Sequence, residues 1–203
     1  MINDNAIRLL EHSFANNPSI LNDASFATNS AVYSFLKEEF LKGDIRSNPL
    51  FKWAFTSFYG MGIVPSEGKE AFFSKMESLK NCNNDLDASQ LTQGLKQEMG
   101  KNYFSFVTKM LNLVDDNKFP IYDSQIALVF QKPFTPAETR LDHQSSIYRD
   151  VIDTYCSIKS HPVIARFRNL YGCPGMGYMK VLDALFWKLG GIMDQNYEMI
   201  SWE

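Results

Sequence analysis

Apolar residues recur at helical spacing along nearly the whole chain, and this periodicity limits the fold more than any other feature. Phe104, Val107, Leu111 and Val114 share one face of residues 102–114. Val32, Phe35, Leu36, Phe40 and Leu41 form a second stripe, and Ala6, Leu9, Leu10 and Phe14 an earlier one. No series of short alternating strands with regular turns accompanies them. The pattern predicts an all-α fold of roughly nine or ten short helices joined by short connections. With 203 residues, a single domain over 1–203 is expected, with two lobes and a cleft. The two prolines of "KPFTPAETR" mark a loop, and a lobe boundary is expected at 132–137.

Helix ends can be read from capping residues. Gly43 is a plausible stop, Pro49 suits a first turn, and Ser66 and Asp87 are candidate N-caps. Residues 138–159 read as one long helix and Pro162 opens the next. The last strong helix is expected over 178–189, with Gly190 and Gly191 ending it.

Composition narrows the chemistry. Aromatic residues make up 14% of the chain, enough for a sizeable core, and the net charge of −3 argues against a wholly basic surface while allowing a local basic groove. The start lacks a basic region followed by a long apolar one, and no apolar run is long enough to span a bilayer, so neither a signal peptide nor a membrane partner is expected. Cys82, Cys156 and Cys173 show no CxxC spacing, which fits free thiols in the cytoplasm. His12, His143 and His161 lie far apart without ligand spacing, so neither a metal nor another cofactor is called for. No obligatory protein partner is evident.

The stretch "FSFVTKMLNLVDDNKFPIYDSQIALVF" carries the chemistry. Asp123 stands where a helix begins, and the simplest reading makes it an N-cap worth about 1 kcal/mol. Lys109 lies among Phe106, Val107, Met110 and Leu113. Either its chain snorkels to water, or its amine is partly desolvated, which lowers the pKa and suits a nucleophile. A short turn joins the two helices and would bring both residues to one mouth.

This stretch resembles the helix–loop–Asp segment of DNA glycosylases of the helix-hairpin-helix superfamily, in particular the 8-oxoguanine DNA glycosylase-like branch. The resemblance implies Lys109 as the amine nucleophile and Asp123 as the catalytic carboxylate. It covers about 30 residues and more weakly the end, "VLDALFWKLGG". The family's glycine-rich turn before the Lys is missing, since no glycine is nearer than Gly100, so the hairpin is degenerate.

What the resemblance implies is removal of a damaged or modified base from DNA. An attached Schiff-base lyase step follows if Lys109 attacks. A base drawn from the stack needs aromatic walls, and Tyr59 and Trp187 are the preferred pocket residues because each adds a polar handle. Lys159, Arg166, Arg168, Lys180 and Lys188 form a candidate basic stripe for the DNA backbone. Gly175-x-Gly177, before a helix, is a candidate phosphate grip, with a plain tight turn as the competing reading. Two other functions fit the same residues: a nucleic-acid-binding module without catalysis, and a helical protein-interaction domain.

Overall fold

A computed structural model describes residues 8, 10–12, 24–82, 85–130, 141–171 and 175–195. All the regular structure among these residues is helical, with no strand. Nine α-helices have defined bounds: α1 Ala24–Lys42, α2 Pro49–Phe58, α3 Ser66–Ser78, α4 Ala88–Met99, α5 Phe104–Val114, α6 Ser124–Val129, α7 Leu141–Ile158, α8 Pro162–Tyr171 and α9 Tyr178–Gln195. Short 3-10 turns follow α1 and α2. The expected lobe boundary at 132–137 falls outside the described residues.

Local chemistry sets several helix starts. Asn48 accepts from the Phe51 amide ahead of Pro49, and Asp87 accepts from the Gln90 amide. Ser66 begins α3 without capping it; Pro65 occupies the cap position and no side chain bonds there. Gly100 ends α4 in the left-handed conformation, φ 71°, which favours glycine.

α5 runs through the middle of the core. Residues 106–113 of this helix are all buried, polar ones included. α2 and α3 meet through Phe51, Phe55, Phe72 and Phe73, whose rings lie mostly edge to face. Burying each such ring contributes roughly 1.5–3 kcal/mol. α1 latches onto the end of α5: the Tyr33 hydroxyl donates to Asn112 O at 3.2 Å and the Lys37 amine to Leu113 O at 2.8 Å.

The expected stop at Gly190–Gly191 is corrected by α9, which continues through both glycines to Gln195. The reason is tertiary. α9 crosses α6 so closely that a Cβ on Gly190 would lie 2.4 Å from the Gln125 carbonyl oxygen. Gly190 is there for contact, and the helix absorbs its low propensity. No helix among the described residues is long and apolar enough to cross a membrane.

Candidate functional site

The loop between α5 and α6 is fixed by side chains from three helices. Asn112 Nδ2 donates to Phe119 O at 2.7 Å, and the Tyr148 hydroxyl donates to Pro120 O at 2.8 Å. The Ile121 amide donates to Asp183 Oδ2 at 2.8 Å, and the Tyr122 amide donates to Thr108 Oγ1 at 3.1 Å. Four consecutive backbone groups are thus held, so the residue that follows has little freedom.

That residue is Asp123. Its Oδ1 accepts from the amides of Gln125 at 3.1 Å and Ile126 at 3.2 Å, so it caps α6. It also lines a cavity of about 410 Å³, a size within the usual range for ligand sites. The cap reading holds, and it does not take the residue away from the cavity: the amides fix one carboxylate oxygen while the side chain stays at the wall.

Lys109 lines the same cavity. It sits mid-helix on α5, with its amine 5.6 Å from the Tyr59 ring centre and 5.2 Å from that of Phe106. Among the described residues its amine has no hydrogen bond or ion pair. Burial pushes the amine below its ordinary pKa, and the nearby Asp123 charge opposes this only in part. Snorkelling is therefore not its arrangement, since the residue is only 9% exposed.

Both expected pocket aromatics line the cavity as well. Tyr59 is buried, its hydroxyl has no hydrogen-bond partner, and burial pushes the phenol well above its usual pKa. Trp187 is 46% exposed, so it stands at the rim. Of the other aromatics on α2, Phe51 and Phe55 are core, Phe58 joins the cavity wall, and Trp53 faces outward, 67% exposed.

The expected basic stripe divides. Arg166 and Arg168 are exposed on α8, whereas Lys188 is half-buried and lines the cavity. Lys180 is not a surface cation at all. It is buried inside the cavity, its amine 4.9 Å from the Tyr33 ring centre and 5.8 Å from that of Phe58. The expected grip is also corrected at Gly177. Its amide donates to Asp116 Oδ2 at 2.8 Å and is buried, so it is not free for a phosphate. Gly175 is exposed with φ 92°, the left-handed geometry of a tight turn.

Asp183 was not expected at the site. It is 2% exposed and its Oδ2 accepts from Ile121 N and, at 3.2 Å, from Asn112 Nδ2. Its Oδ1 has no hydrogen bond of normal geometry, and neither has the Tyr155 hydroxyl, although the two groups interact at longer range. Burial pushes Asp183 up and Lys180 down, which favours the uncharged forms of both. A signal for this wall exists in the sequence: Lys180, Asp183, Ala184, Trp187 and Lys188 fall at i, i+3, i+4, i+7 and i+8, one face of α9, and all five line the cavity. Thr108 and Asn112, one turn apart in a largely apolar helix, are a similar sign.

Comparison with protein-family models, curated proteins and solved structures finds no match.

The cavity thus combines a desolvated amine, a fixed carboxylate and aromatic walls. Such a set can add an amine to an electrophilic carbon while a neighbouring carboxylate stabilises positive charge.

Proposed function

We propose that the protein is a DNA glycosylase that excises a damaged or modified base, with a Schiff-base lyase step. One observation carries the reading: Lys109 and Asp123 share the wall of one cavity with Tyr59 and Trp187. The resemblance of residues 104–130 to glycosylases supports it independently.

In this reading the base leaves the stack and enters the cavity between aromatic walls, at a cost of a few kcal/mol. The bond from C1′ to the base nitrogen breaks, and its electron pair goes to the base, which takes up a proton. Positive charge grows on the sugar and the Asp123 carboxylate stabilises it. The neutral Lys109 amine bonds to C1′ and passes a proton to Asp123. Opening of the sugar ring leaves an imine between Lys109 and C1′. Loss of a 2′ proton then expels the 3′ phosphate and cuts the strand. Arg166, Arg168 and Lys188 are the groups proposed to meet the DNA backbone.

Duplexes carrying single modified bases test this. Release of one base, with a cut strand, is the expected result. Binding without product would instead support the non-catalytic nucleic-acid module, and neither binding nor product would overturn the DNA reading.

A further inference from the structure

A lyase step removes a proton from C2′ of the sugar, and some group at the cavity has to accept it. Most titratable groups among the described lining residues are already engaged. Asp123 holds Oδ1 against the Gln125 and Ile126 amides and, in the proposed reaction, takes the proton that Lys109 releases. Asp183 Oδ2 accepts from the Ile121 amide and from Asn112, and its Oδ1 is enclosed. The Tyr59 hydroxyl is enclosed too, and burial keeps it protonated. Lys109 is itself the nitrogen of the imine. Lys188 is half-buried next to the rim residue Trp187 and already has a partner.

Lys180 remains. It lines the cavity from α9 as Lys109 does from α5, and the two amines are close enough for the charge of one to bear on the other. Among the described residues the Lys180 amine has no hydrogen bond or ion pair. Its unpartnered nitrogen keeps accessible surface, unlike the Tyr59 hydroxyl and Asp183 Oδ1. Burial favours the uncharged amine; the charges of Asp183, Asp123 and Asp116 oppose this, and that of Lys109 adds to it. An uncharged amine has a lone pair free to take a proton. The ammonium so formed lies 4.9 Å from the centre of the Tyr33 ring and 5.8 Å from that of Phe58, and both rings stabilise a cation.

We infer that Lys180 is the base of the lyase step and takes the 2′ proton once Lys109 holds C1′ as a protonated imine. The C2′–H bond breaks, its electron pair moves into the C1′–C2′ bond, and the imine pair returns to the Lys109 nitrogen. That nitrogen then re-forms the imine while a C2′–C3′ double bond forms. The C3′–O bond breaks and the 3′ phosphate leaves with its electron pair. The proton ends on the Lys180 nitrogen. This rests on the proposed Schiff-base reaction, and it assigns to Lys180 a step that neither Lys109 nor Asp123 performs.

The test uses a duplex with one ready-made abasic site, so that no excised base is present. Strand cutting in a single turnover and the borohydride-trapped adduct are read in parallel. The wild type should give both. Lys180→Met should cut roughly 100-fold more slowly or worse, yet trap at least about half as much adduct, with the trapped strand still whole. It should melt no lower than the wild type, since an apolar chain replaces a buried, unpaired amine. Deuterium at C2′ should slow the cutting that remains in Lys180→Met, because removal of that hydrogen then limits the rate. Cutting by Lys180→Met at the wild-type rate would overturn the inference. So would adduct and cutting that fall together, residual cutting indifferent to deuterium, or wild-type cutting that begins only when free base is added. A wild type that forms no adduct would sink the lyase reading itself and the role of Lys180 with it. Adduct in the wild type with cutting that does not depend on Lys180 would sink that role alone.

Discussion

Gly177 lies against Asp116 so closely that a Cβ would sit 2.3 Å from the Asp116 carbonyl oxygen, while its amide donates to the same residue's carboxylate at 2.8 Å. Asp116 also accepts from Tyr33 and from Lys37, and its carbonyl accepts from the Met179 amide at 2.9 Å. One buried acid thereby joins α1, the end of α5 and the start of α9, which are three walls of the cavity. Gly177→Ala should cost about 3 kcal/mol, because the atom it meets is backbone and cannot swing away. The midpoint of denaturant unfolding measures this.

Gly190 tests the other crossing. Gly190→Ala gains helix propensity worth about 1 kcal/mol, yet places a Cβ 2.4 Å from Gln125 O. The expected outcome is a net loss of stability and a larger loss of activity, since Gln125 adjoins the capped Asp123. Thermal melting together with an excision assay checks both.

These glycines also show what could be read from sequence and what could not. Asp123 as a cap was legible, and so was the choice at Lys109 between a snorkelling chain and a desolvated amine, because both follow from immediate neighbours. Gly190 was misread as a stop because its reason for being glycine lies on another helix. Lys180 was placed on the surface for the same reason: its charge suggests solvent, but α9 turns that face inward. Ser66 was misread by one position, since Pro65 takes the cap place and offers no side-chain acceptor.

Asp123 separates by substitution into its two roles. Asp123→Asn keeps an N-cap of equal quality and should leave stability within a few tenths of a kcal/mol while removing base excision. Asp123→Ala should lose activity and about 1 kcal/mol as well. Chemical denaturation of the two variants beside their excision rates distinguishes cap from carboxylate. Equal activity in Asp123→Asn and wild type would reduce Asp123 to a cap.

Tyr59→Phe removes a buried hydroxyl without a partner, so stability should hold or rise by up to about 1 kcal/mol. Affinity for the modified base should hold, because the ring that lines the cavity is kept and the hydroxyl has no surface on it. Calorimetric melting and single-turnover kinetics report the two effects.

The lowered pKa of Lys109 gives a pH dependence whose sign is fixed. The unfolded chain carries an ordinary lysine, so across the window between the folded and unfolded values it binds more protons than the native state. The Lys109 contribution to stability therefore improves as pH rises through that window. The neutral, nucleophilic fraction rises with pH through the lowered value as well, so the rate of imine formation should climb below the pH at which a free lysine ionises.

Borohydride trapping addresses the central claim most directly. Wild-type protein incubated with its substrate duplex and borohydride should form a covalent protein–DNA adduct, mapped by mass spectrometry to Lys109, with a yield that increases with pH. Lys109→Gln should fold and bind but give no adduct. Base release at the wild-type rate in Lys109→Gln, with no adduct in either protein, would contradict an amine nucleophile and leave water, activated by Asp123, as the attacking group.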